Sequence, residues 1–147
     1  MIAYLDPSAI IRAYLPDESD HEEVRALIRA PEATLISGSW TRIEVTSALV
    51  RAARAHRGDE AALLRQFSID VDPRSGTLTL VDAEQAAVEA IALGIVRRSG
   101  IRSLDAWHLA CASLAFDQLR EPGEECGFAT RDRAKQHVAL ELGFTLV

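Results

Sequence analysis

Short apolar runs alternate with longer amphipathic stretches along this chain, and that alternation limits the fold more than any other feature of the sequence. Ile2 to Leu5, Thr34 to Ser37, Leu78 to Val81, Cys126 to Thr130 and Phe144 to Val147 read as strands, bounded by Asp, Gly, Pro or Ser. The stretches between them are long enough for helices, which gives the βα rhythm of a parallel sheet covered on both faces. The expectation is a three-layer α/β domain with a central parallel sheet of about five strands. A chain of 147 residues has the usual size of one domain, and no repeat, low-complexity tract or long linker divides it, so residues 1–147 are expected to form a single domain.

The helix signals are mostly local. Asp6-Pro7-Ser8 combines an N-cap with proline at the first helical position and predicts a helix to Tyr14. A second helix is expected from Asp20 to Arg29, ending before Pro31. A long one should run from Ser39 to Arg57 and stop at Gly58, and another from Asp59 to Phe67. Ser68 to Thr77 reads as a loop. Asp82, with Gln85 three residues on, has the capping-box pattern for a helix reaching Gly100. Ser103 opens a helix to Leu119, and Asp132 caps a last one to Leu142.

Composition excludes several classes. With 48% apolar and 26% charged residues, the chain is too apolar for wholesale disorder, and nothing approaches the roughly 20-residue apolar run of a membrane helix. The opening Met1-Ile2-Ala3-Tyr4-Leu5-Asp6 is not expected to be a secretory leader. Cys111 and Cys126 lie far apart without metal-ligand spacing and read as small apolar residues in a reducing cytoplasm. The net charge of −6 argues against a nucleic-acid partner taken alone. However, the bases are nearly all arginine, the better bidentate phosphate ligand, with Lys135 the single lysine.

Four acids stand out by position. Sites in parallel sheets form beyond the carboxyl ends of the strands, near the point where strand order reverses. Asp6 follows the first strand and Asp132 the fourth; if those strands are neighbours, both carboxylates face one crevice. Glu44 lies between Ile43 and Val45, in one helical row with Trp40 and Ala48, and Asp105 sits in the otherwise apolar Leu104-Asp105-Ala106-Trp107-His108-Leu109-Ala110. Each also has a plain reading: Asp6 and Asp132 as caps, Asp105 at the positive end of a helix, Glu44 paired or solvated. Carboxylates gathered in one cleft need a counter-charge, and a hard divalent cation, Mg²⁺ or Mn²⁺, is the natural one.

Tyr4-Leu5-Asp6-Pro7-Ser8-Ala9, Ile43-Glu44-Val45, Leu104 to Ala110 and Ala129-Thr130-Arg131-Asp132-Arg133 resemble, in order, the blocks of PIN domains, most closely the VapC-type toxins. The resemblance spans essentially the whole chain. It implies a Mg²⁺- or Mn²⁺-dependent endoribonuclease, a toxin that is usually a homodimer and is held inactive by a cognate antitoxin whose C-terminal segment enters the cleft. Asp6 and Asp105 would be the principal metal ligands, Glu44 the third acid and Asp132 the fourth, standing behind the ligands. Ser8 and Thr130 occupy the hydroxyl positions that hydrogen-bond these acids. Glu44 or Asp132 would take a proton from the attacking water. Pro7, where a small residue is common, and the long Ser68–Thr77 loop depart from the pattern without touching the acids.

Arg42, Arg131 and Arg133 lie beside acids in sequence and are the first candidates for an RNA-binding rim, ahead of Arg12, Arg97, Arg98 and Arg102. Trp40 and Trp107 suit base stacking, but in amphipathic helices of a small domain such residues are more often core or dimer contacts. His108 suits helix packing or substrate contact better than metal ligation, and His21, His56 and His137 show no zinc spacing. A haloacid-dehalogenase-type phosphatase would need an acid where Ser8 stands. A phospho-acceptor receiver would need an acid pair after the first strand and a lysine after the last. A PIN-like module that binds RNA or a partner without cutting is the non-enzymatic alternative.

Overall fold

A computed structural model describes residues 1–29 and 33–147. Five strands form one all-parallel sheet in the order β3-β2-β1-β4-β5, namely β1 Ile2–Leu5, β2 Thr34–Gly38, β3 Leu78–Val81, β4 Cys126–Ala129 and β5 Thr145–Leu146. Every residue of β1 is buried, as expected of a central strand covered on both faces. Its side chains alternate. Ile2 and Tyr4 join Ile36 and Phe128 beneath helices α5 (Gln85–Ser99), α6 (Ser103–Leu119) and α7 (Arg133–Glu141). Ala3 and Leu5 join Leu35, Leu78 and Ala129 on the opposite face. That face is covered by α1 (Pro7–Ile10), the 3₁₀ turn Ile11–Tyr14, α2 (His21–Arg29), α3 (Thr41–Arg54) and α4 (Glu60–Asp70). The result is the expected three-layer α/β architecture. Among the described residues no helix is long and apolar enough to cross a membrane.

Strands β1 and β4 pair directly, with Leu5 opposite Ala129. The chain order reverses here, so Asp6 and Thr130 leave the sheet side by side.

Several boundaries differ from expectation for identifiable reasons. Helix α5 is capped by Glu84, whose carboxylate accepts from the Ala86 and Ala87 N–H groups, and not by Asp82. Asp82 and Ala83 carry the chain out of β3, and Ala83 packs against the core. Helix α3 ends at Arg54, before Gly58. His56 takes the left-handed conformation (φ 59°), its N–H bonds the Ala53 carbonyl and that of Arg57 the Ala52 carbonyl. This is a Schellman stop with histidine where glycine is usual. Helix α4 extends to Asp70, into the expected loop, because buried Asp70 accepts from Arg25 (2.6 Å) and Tyr14 (2.9 Å). Pro31, expected to stop α2, lies outside the described residues. Cys111 is buried, Cys126 half-buried, and neither is in a disulfide.

Candidate functional site

Asp6 ends β1 and caps α1, and its carboxylate is wholly buried. Oδ2 accepts from the Ser8 backbone N–H (3.1 Å), the Ser8 hydroxyl (2.5 Å) and the Thr130 hydroxyl (3.2 Å). Both oxygens also receive Lys135 Nζ at 2.8 Å. Asp105, in the first turn of α6, comes to the same ammonium at 3.0 Å. Two carboxylates far apart in sequence thus converge on one cationic atom at the carboxyl edge of the sheet. Burial works against the charge on Lys135, but the attraction and hydrogen bonds of Asp6, with Asp105 adding, hold its pKa above the ordinary lysine value.

Glu44 approaches from the other helical layer, on α3. Its Oε2 lies 2.6 Å from His108 Nε2, and His108 Nδ1 lies 2.8 Å from the Tyr4 hydroxyl. Burial pushes the Tyr4 phenol well above its usual pKa, so it keeps its proton. It accepts from the Gly38 N–H at 2.9 Å and keeps its hydrogen bond with Nδ1. A carboxylate only accepts, so His108 Nε2 carries a proton and donates it to Glu44. The packing role expected for His108 is met, with a second duty of orienting Glu44. Gly38 is needed here because a Cβ would fall 2.8 Å from the Tyr4 hydroxyl.

An open cleft of about 360 Å³ lies between α1 and α3, lined by Ser8, Glu44, Ser47, Arg51 and Lys135 among others. Among the described residues no three His, Cys, Asp or Glu side chains come together as a metal-holding group. Asp6 and Asp105 meet, whereas Glu44 is turned onto His108. Asp132 caps α7 by accepting from the Ala134 and Lys135 N–H groups. Its own N–H donates to Thr130 Oγ1, which ties the cap to the Asp6 network. Ser8 and Thr130 stand beside Asp6 as the resemblance implies, and with a hydroxyl at position 8 donating to Asp6, the acid a phosphatase of the haloacid type requires is missing.

The basic rim is narrower than the sequence suggests. Arg131 is engaged by Asp20 and lies 3.8 Å from Glu23, and Arg12 bonds the same Asp20 at 2.7 Å and approaches Glu18. Burial alone would raise the Asp20 pKa, but hydrogen bonds from Arg12 and Arg131 lower it to about 2. Arg57 is likewise held by Asp17 and Glu18. Arg42 and Arg133 are exposed. Arg51 lines the cleft although its sequence neighbours gave no hint of it. Trp40 is 54% exposed and tilts against Trp107 with ring centroids 6.2 Å apart, while Trp107 itself is half-buried and packs against the core. Lys135 also escaped the sequence reading, although a signal was present: it shares the buried stripe of α7 with Val138 and Ala139, at i, i+3 and i+4.

No curated protein matches the chain by sequence. Among solved structures it is similar to a chain of a toxin-antitoxin complex from Klebsiella pneumoniae. The TM-score is 0.53 at 17% identity, over 88% of this chain and 86% of the other. At that identity the likeness concerns the fold. The PIN domain family model matches residues 3–140, nearly the full length, and the chain belongs to the PIN domain family.

Proposed function

We propose that the chain is a single-domain, divalent-metal-dependent endoribonuclease of the cytoplasm. In this reading it is the toxin of a VapC-type toxin–antitoxin pair, a homodimer whose cleft is blocked by a cognate antitoxin. The observation that carries the chemistry is the convergence of the Asp6 and Asp105 carboxylates on one cation position at the switch point of the sheet. Family membership and the structural likeness to a chain of a toxin-antitoxin complex support the same reading.

The donor set fits Mg²⁺ or Mn²⁺. Mg²⁺ is commonly held by one or two carboxylates with water completing its shell, and the point where Asp6 and Asp105 meet already accommodates a cation. A metal ion held there would supply a water of lowered pKa and charge neutralisation on a phosphate. Ser8 and Thr130 fix the rotamer of Asp6. Glu44, anchored through Oε2 to His108, keeps Oε1 for a proton from water in the cleft. Asp132 acts at one remove, holding the start of α7. Arg51, with the exposed Arg42 and Arg133, offers cations for RNA phosphates; Arg131 is already engaged by Asp20.

One observation favours a second reading. Lys135 neutralises both acids from within the chain, as it would in a PIN domain that binds RNA or a partner without cutting. One experiment separates the two. Purified protein is incubated with total cellular RNA, and new 5′ ends are mapped with Mg²⁺, Mn²⁺ or EDTA, and with Asp105→Asn. Discrete ends that disappear with EDTA and with the variant are expected. Cleavage that survives in D105N removes the assignment, and no cleavage by a folded protein that also fails to bind Mn²⁺ leaves the binding module.

A further inference from the structure

We infer that Lys135 is a built-in competitor for the metal position, a latch that a divalent cation opens by displacing the ammonium from Asp6 and Asp105 into the cleft. The inference rests on the metal-site reading above. Its basis is geometric. The residue is 6% exposed, in an apolar stripe where a charge is tolerated only when paired. Its Nζ contacts Asp6 Oδ1, Asp6 Oδ2 and Asp105 Oδ1 at 2.8, 2.8 and 3.0 Å, which matches the three donors of an ammonium. A divalent ion bound by the same oxygens would lie within van der Waals reach of Nζ, and like charges that close in a partly buried site repel strongly. The two cations therefore exclude one another.

The displaced side chain has somewhere to go. Lys135 already lines the cleft beside Ser8 and Glu44, and the Glu44 carboxylate there is 25% exposed. The flexible four-carbon stem can rotate the ammonium toward that space while its backbone stays within α7. In the metal-free protein the latch keeps together two acids that lie far apart in the chain. In the metal-bound protein the same ammonium faces the cleft, where an anionic phosphodiester is its chemical partner.

The test uses the fact that Lys135 is the only lysine, so ¹⁵N-lysine labelling of the full chain gives a single side-chain ammonium resonance. In EDTA at neutral pH that resonance is expected to be visible, shielded from solvent exchange by its carboxylates. Mg²⁺ should shift or remove it in step with binding measured by calorimetry. Lys135→Gln should bind Mg²⁺ tighter by about tenfold or more, the scale on which an adjacent opposite charge acts on a carboxylate. A resonance absent in EDTA, or unmoved while Mg²⁺ binds, overturns the latch, as does a K135Q protein that binds Mg²⁺ no tighter than wild type. Mg²⁺ binding to K135Q alone supports it in the strongest form. Failure of both proteins to bind Mg²⁺ sinks the metal reading and the latch together, whereas equal binding by both sinks the latch only. If K135Q does not fold, the wild-type resonance decides.

Discussion

Asp6→Asn and Asp105→Asn make the same chemical change to two acids on one ammonium, yet their surroundings dictate unequal costs. Asp6 is wholly buried. An asparagine there keeps the cap, since Asn and Asp cap helices about equally. If its carbonyl oxygen stays with Ser8 and Thr130, its NH₂ must face Lys135 Nζ, donor against donor. Removing one partner of a buried ion pair costs about 3–5 kcal/mol when nothing else compensates. Asp105 still compensates here, so we expect about 2–3 kcal/mol. Asp105 makes a single 3.0 Å contact with Lys135 and its side chain is 17% exposed. Its loss leaves Lys135 bidentate on Asp6, and the cost should stay below about 1 kcal/mol. Urea unfolding in EDTA, followed by far-ultraviolet circular dichroism, measures both. Thermal melts should show Tm lower by roughly 6–10 °C for D6N and by no more than about 3 °C for D105N, given the slopes usual for domains near this size. Equal destabilisation by the two variants, or a neutral D6N, would refute the unequal sharing of Lys135. D105N is accordingly the better inactive control.

Two further predictions concern the scaffold. His56→Gly should stabilise the protein by about 0.5–1 kcal/mol, because His56 is exposed and holds a left-handed φ of 59° that glycine adopts without Cβ strain, partly offset by glycine's larger unfolded-state entropy; a lower urea midpoint for H56G counts against the Schellman assignment. Asp20 has a pKa lowered from 3.8 to about 2, so its contribution to stability is complete above pH 4 and is lost as pH falls toward 2; Asp20→Asn should flatten the acid limb of the stability curve in that window, and an unchanged limb shows that Arg12 and Arg131 do not depend on it.

Much of the fold was legible because it is written in local pattern. Strands β1 and β3 and helix α6 have the expected bounds, since apolar runs and flanking breakers coincide there. The capping roles of Asp6 and Asp132 were equally readable. What could not be read depends on partners distant in sequence. Asp70 extends α4 because Arg25 and Tyr14 hold it across the fold, and Arg131 is withdrawn from the rim by Asp20. The site divides in the same way. The βα rhythm places Asp6 at a strand end, and the family likeness pairs it with Asp105. The turning of Glu44 onto His108 follows from a line of side chains crossing two layers, Tyr4 to His108 to Glu44, which sequence spacing does not encode.

Arg12, Arg57 and Arg131 are each neutralised by acids of the segment from Asp17 to Glu23, and this bears on how salt would act on RNA association. Charges already paired within the protein release few condensed counterions when a polyanion arrives. For a chain of net charge −6 whose cleft is lined by Arg51, with Arg42 and Arg133 exposed on the surface, the logarithm of affinity should fall only gently with the logarithm of salt concentration. An encounter of that kind draws little on long-range attraction, and discrimination among RNAs would rest on the contour of the cleft and the conformation of the strand that enters it.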